Sequence, residues 1–246
     1  MYAALLAVSA SEPNPEPYPK QCGNDWIKHD AVQSLPQQDP VTFSAKAAAK
    51  FQPTLLVVHG CHPYPAVNVL GQTNSGLQPS GRSDGKCKGS GLGDQVYARS
   101  GWYEDSWGIM YAWYEPKDGN GHRHDWEYVV LWTGNPEDPN AELLAVTTIA
   151  AHGRIKTIAP GAEFRVGSSV KLEYDFVGER HAIALTSKEG GKLQTLITWE
   201  QLPDIARCAL NNATWNEGKV MPLSDAVFPD HLGKAWPFDG RIEAIR

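Results

Sequence analysis

No apolar run in the 246-residue chain approaches the length of a membrane-crossing helix. There is no basic excess either: 22 Lys and Arg stand against 28 Asp and Glu, a formal net charge of −6. That balance argues against nucleic acid as a partner, and against a purely electrostatic attraction to anionic lipid. No C-x-x-C is present, which disfavours a zinc knuckle. No H-E-x-x-H is present, and no internal repeat. The glycine-spaced run Gly89 to Asp94, "GSGLGD", follows no strand signal and so does not read as a phosphate loop. "DGNG", residues 118 to 121, opens like a calcium loop but lacks the later ligands.

What is present is a core-forming composition with a heavy aromatic load. Apolar residues make up 41%, including nine Trp and nine Tyr. Surplus Trp and Tyr serve sugars and membrane interfaces as well as cores. Trp102, Tyr103 and Trp107 read as core residues here. The four cysteines, Cys22, Cys61, Cys87 and Cys208, are widely spaced and even in number, which suits two disulfides in a secreted protein. Three pairings are open. Cys61 and Cys87 flank a polar, Gly-rich loop that cannot pack itself, and closing it would stabilise by about 3 kcal/mol. Residues 1–20 read as a weak signal-like stretch, Tyr2 to Ala10, followed by a Pro-rich extended segment. Asn212-Ala213-Thr214 is a glycosylation sequon of little weight.

Strand signals recur at Thr54–His59, Gln95–Arg99, Gly108–Glu115, Trp126–Thr133, Leu143–Ala151, Ser169–Phe176, His181–Thr186 and Leu193–Thr198, with turn residues between many of them. Helix signals are fewer: residues 39–53, begun by Asp39-Pro40; Glu200–Asn211; and Asp225–Trp236. The pattern predicts a mainly β fold, one antiparallel β-sandwich domain flanked by short helices.

The stretch "DGNGHRHDWEYVVLW", residues 118 to 132, stands apart. "WEYVVLW" reads as a strand, so "HRHD" falls where a tight loop enters it. Alternation puts Asp125 and Glu127 on one strand face, roughly 7 Å apart along the backbone. Adjacent carboxylates repel unless a cation or proton joins them. With Asp118 and His122 folded over the same spot, the set suits a hard divalent cation, Mg²⁺, Ca²⁺ or Mn²⁺. The alternative is a solvated loop in which Arg123 pairs with Asp125 or Glu127. His59 and His62, beside Cys61, read as packed or solvated.

"GHRHDWE", residues 121 to 127, resembles the signature heptapeptide of the necrosis- and ethylene-inducing-like proteins, secreted cytolytic toxins of plant-associated microbes. "GIMYAWYEPKD" resembles the family's upstream segment, which plants perceive as an immune pattern; "VHGCHPYPAV", "SGL" and "GKC" resemble its disulfide-bonded loop; "AAHG" resembles its downstream His-Gly element. The resemblance covers residues 57 to 153 closely and the C-terminal third loosely. It implies a toxin domain over residues 21–246 and a β-sandwich fold. It implies a divalent cation held by Asp118, His122, Asp125 and Glu127, with His124, Arg123 and His152 serving head-group recognition. It implies a Cys61–Cys87 bond, which leaves Cys22 and Cys208 to pair and tie the N-terminal arm to the helix at Glu200–Asn211. The connection between Asp118 and the heptapeptide is shorter than is common in the family. The implied partners are the plant plasma membrane, its glycosylated inositol-phosphoceramide sphingolipids and a plant immune receptor. Secretion and membrane damage without a covalent step follow. The competing readings are a metal-dependent hydrolase of glycans or lipids, with Glu127 or His124 as base, and a sugar-binding elicitor that does not lyse.

Overall fold

The computed structural model describes residues 22–119, 121–150, 153–177 and 180–238. The signal-like reading of residues 1–20 lies outside them. A six-stranded sheet forms the centre, in the order β12 (Leu196–Thr198), β4 (Val96–Tyr103), β5 (Ser106–Asp118), β6 (His122–Thr133), β7 (Leu143–Ala150) and β8 (Gly153–Ile158). A smaller sheet packs over one face: β11 (Arg180–Leu185), β10 (Ser169–Val177) and β2 (Thr54–Val57), with β9 (Arg165–Val166) beside β10. A two-residue ribbon pairs β1 (Trp26–Ile27) with β3 (Thr73–Asn74). Pairing is mostly antiparallel, but β12 runs parallel to β4, β2 to β10 and β1 to β3. The expected antiparallel β-sandwich thus carries three parallel pairings as well.

The helices do more than flank. β5 is buried at all thirteen positions. A strand apolar on alternate residues faces one core; a continuous apolar run faces two. Ile109, Tyr111, Trp113, Val129 and Leu131 pack toward the smaller sheet with Leu172, Tyr174 and Ile183. Met110, Tyr114, Tyr128, Val130 and Trp132 pack the other way, against α2 (Asp204–Asn212) and α3 (Phe228–Ala235). The helices are therefore a third layer. The first helix, α1 (Phe43–Lys50), closes the end of the inter-sheet core through Ala47 and Ala48. Its N-cap is Thr42, whose side-chain oxygen accepts from the Ala45 amide, rather than the expected Asp39. Pro203 stands at the N-cap of α2.

Trp107 is buried, and Tyr103 packs at the edge of the helical-side core. Trp102 is 52% exposed, its ring edge-on to Trp107, so its expected core place is corrected. Of the three cysteine pairings, the structure has Cys22–Cys208 and Cys61–Cys87.

Candidate functional site

The site grows out of the β5–β6 hairpin. Strand β6 begins at His122, so "HRHD" is paired strand rather than the entering loop that its turn-rich flank suggested. The turn is tight: Gly121 donates to the Asp118 carbonyl, and a Cβ on Gly121 would come 2.7 Å from Asp118 Oδ2. A side chain there would displace the Asp118 carboxylate. Register places Glu115 opposite Asp125 and Trp113 opposite Glu127. Cross-strand partners project to the same face, so Glu115, Asp125 and Glu127 share the inter-sheet side. From the facing sheet, the Tyr174 hydroxyl donates to Asp125 Oδ2 at 2.9 Å. His181, at the start of β11, donates through Nδ1 to Asp118 Oδ1.

Two residues here escaped the sequence reading. Glu115 is fully buried, and among the described residues neither of its carboxylate oxygens has a hydrogen-bond partner. His181 is buried, and its Nε2 has no partner among the described residues. A Cβ on Gly60 would meet that nitrogen at 2.6 Å, so the missing side chain makes room for the ring. His122 Nδ1 bonds the His124 carbonyl at 2.9 Å, and Nε2 lies 3.9 Å from Asp118 Oδ2. With Nδ1 donating to that carbonyl, Nε2 is the ring nitrogen turned toward Asp118.

The remaining expected residues lie elsewhere or serve differently. His124 has a positive φ of 59° and points to the helical side, where Nδ1 meets the Tyr114 hydroxyl at 2.7 Å. Its ring packs among Trp26, Tyr114 and Trp215. Burial, helped by the Arg123 and His122 charges, holds its imidazole down to about 4. The Arg123 guanidinium donates to the Ser75 carbonyl at 3.0 Å, and among the described residues it forms no ion pair with Asp125 or Glu127. The salt-bridged loop is therefore not what the structure contains. His152 lies outside the described residues. His59 pairs with Asp175 at 2.6 Å on the exposed rim.

The acids repel one another. Burial first, then Asp125 and Asp118, pushes the Glu115 carboxyl well above the usual range. Burial, then Asp125, Glu115 and Asp118, does the same to Glu127. Glu127 keeps partial solvent access, which screens part of that repulsion. Asp125 is pushed up to about 6 by burial and then by Asp118. Asp118 is lowered: its own burial opposes the shift, but the His181 hydrogen bond and charge, with His122, prevail. The donors are carboxylate oxygens and imidazole nitrogens, a set that fits Mg²⁺, Ca²⁺ or Mn²⁺. The orphaned Glu115 oxygens call for a proton or a cation. Among the described residues no three His, Cys, Asp or Glu side chains stand where they would hold an ion together as placed. Side-chain rotation would have to bring them in.

These shifts fix a pH dependence with a definite sign. Unfolded Asp125 titrates near ~4 and folded Asp125 at about 6, so its stabilisation is full below pH ~4 and lost as pH rises through 6, about 3 kcal/mol. His124 acts in the opposite sense: its stabilisation is full above ~6.5 and lost as pH falls toward 4. The two offset over most of that interval. Above pH ~6.5, where both have largely titrated, the raised groups Glu115 and Glu127 remain. Cation-free protein is expected to lose stability as pH rises above ~6.5, as those two carboxyls ionise. Urea midpoints in chelator check this; a level or rising midpoint would show that the Glu115 and Glu127 carboxyls are not raised in the folded protein.

The match to known proteins is broad. The family model described as "Necrosis inducing protein (NPP1)" matches residues 45–235. NLP effector protein 2 of Phytophthora capsici is 46% identical over 239 residues, covering 96% of this chain and 97% of that one. Among solved structures, the non-toxic HaNLP3 protein superposes with a TM-score of 0.82 at 43% identity, over 86% of this chain and all of its own. NLPPya in complex with glucosamine superposes with a TM-score of 0.78 at 39% identity, over 86% of this chain and 98% of its own. The strand order, the hairpin that carries the heptapeptide and these matches agree: the chain belongs to the necrosis-inducing protein family, the NLP effectors.

Proposed function

We propose that this chain is a secreted cytolytic effector. It binds the sugar head groups of plant inositol-phosphoceramide sphingolipids at the β5–β6 hairpin, with a divalent cation held by Asp118, His122, Asp125 and Glu127. The observation that carries the reading is the set of buried, mutually repelling carboxylates on one sheet face. A divalent cation there would reverse the local sign and supply coordination for sugar hydroxyls. Tyr174 and His181 orient Asp125 and Asp118 from the facing sheet. NLPPya binds glucosamine, which supports a sugar as the recognised group. Two buried disulfides support an oxidising, extracellular setting.

Membrane damage is assigned to binding, without turnover. Every described cysteine is in a disulfide. The Tyr174 hydroxyl, raised by burial and by Asp125, is a poor nucleophile. The second reading, a sugar binder that does not lyse, is favoured by the likeness to the non-toxic HaNLP3. Vesicles containing glycosylated inositol-phosphoceramide decide among the three. Cation-dependent dye release with all lipid recovered intact by mass spectrometry is expected. Binding without release would establish the non-lytic reading. Release of head group or ceramide would establish the hydrolase.

A further inference from the structure

Glu115 interrupts β5, a strand buried along its whole length, with a carboxyl that has no hydrogen-bond partner among the described residues. Three other charged side chains that this hairpin buries have partners. Lys117 donates to the Ser80 and Arg82 carbonyls, Asp118 accepts from His181, and Asp125 accepts from Tyr174. Glu115 is 0% exposed, and neither oxygen has a partner among the described residues. It is also the direct cross-strand partner of Asp125. Partners in such a ladder stand with Cα atoms about 4.5–5.5 Å apart and side chains on one face. An apolar residue would fill this position at no electrostatic cost, as Trp113 does two residues earlier on the same face. A lone carboxyl retained there needs a proton or a counter-charge.

We propose that Glu115 is a further carboxylate of the cation site: the cross-strand pair Glu115–Asp125 binds the divalent cation from the sheet side, and Glu115 is satisfied when that ion is present. The inference rests on the cation reading above and extends it to a residue outside the heptapeptide. Without the ion the four acids, Glu115, Asp118, Asp125 and Glu127, crowd one end of the inter-sheet core. With it, two of their charges are neutralised, and the ladder position of Glu115 fixes the ion against the sheet. The competing account is a Glu115 that simply keeps a proton and takes no part.

The two accounts differ in what neutral replacements do. Glu115→Gln preserves shape and removes the charge; Glu115→Met also removes the polar atoms, and it tests the same point if the amide fails to fold. The full chain is titrated with Mn²⁺ by calorimetry and with Tb³⁺ by tryptophan-sensitised luminescence, and is melted in chelator. Both variants are expected to bind Mn²⁺ more weakly by at least about ten- to a hundredfold, the range that outer-shell partners alone command. Both are expected to melt at or above the wild-type temperature in chelator, and to gain less on adding the ion. Variants that bind as tightly as a wild type that itself binds would overturn the Glu115 assignment alone. A wild type that binds neither ion would overturn the cation reading and this inference with it.

Discussion

Asp125→Asn and Glu127→Gln are each expected to cut cation-dependent dye release from sphingolipid vesicles by about a hundredfold, while leaving the fold intact. The amide oxygen that Asp125→Asn leaves in place would still accept from the Tyr174 hydroxyl, which now bonds Asp125 at 2.9 Å, so the frame around it survives. What goes is one negative charge among several that repel across a buried face. Melting in chelator should therefore hold steady or rise, because each acid raises the others and their ionised forms cost stability. Adding Mg²⁺ or Ca²⁺ should raise the melting temperature of the wild type and do less for either variant. A purely structural role predicts the reverse: loss of a satisfied carboxylate would lower the melting temperature in chelator, and added cation would change nothing. Variants that still release dye at the wild-type rate would remove Asp125 and Glu127 from the site.

The central strands were legible because burial on a pleated sheet leaves a trace in residue type. β-branched and aromatic runs at residues 108 to 115 and 126 to 133 can hardly serve anything but a sheet interior. The same logic explains the misses. β8 carries Ile155 and Ile158 more than half exposed, so an edge strand with little to bury wrote no pattern. β1 and β3 are two residues each, too short for any period. The third layer was half legible: helices were expected at Glu200–Asn211 and Asp225–Trp236 and stand at Asp204–Asn212 and Phe228–Ala235, but their role as a cover was not read. That role follows from the unbroken apolar run of β5, which needs a core on each side.

The site divides along the same line. The heptapeptide announced Asp125, Glu127 and His122 through their density of rare types. Glu115 stood in plain view in "WYEPKD", and a single acid inside an apolar strand is the signal that would have found it. His181 had no such signal. It reaches Asp118 from 63 positions away, on another sheet, and only the packing of the two sheets brings them together. His124, prominent in the motif, turned out to face the aromatic cluster with Trp26 and Trp215. Its positive φ is a backbone detail that no alternation pattern could reveal.

Removing the disulfides one at a time should separate frame from site. Cys22–Cys208 spans 186 residues of chain and Cys61–Cys87 spans 26. In the loop-entropy account, the Cys22→Ala, Cys208→Ala variant loses about 5 kcal/mol and the Cys61→Ala, Cys87→Ala variant about 3 kcal/mol. All four cysteines are buried, so sulfur packing is lost in both cases. The functional order is expected to be the opposite. The N-terminal arm keeps other anchors when its disulfide goes: the Asp25 carbonyl accepts from the Thr73 amide at 2.7 Å, and Trp26 packs edge-on to Trp215. None of these touches the carboxylates. Cys61, in contrast, follows Gly60, whose bare Cα makes room for the His181 ring, and the loop it closes carries the Ser80 and Arg82 carbonyls that hold Lys117 beside Asp118. Freeing that loop should loosen His181 and weaken Mn²⁺ binding at temperatures where the protein is still folded. Denaturation midpoints give the first order and calorimetric affinities the second. A Cys22→Ala, Cys208→Ala protein that is folded but has lost the cation, or a Cys61→Ala, Cys87→Ala protein that binds it as tightly as the wild type, would show that the loop does not support the site.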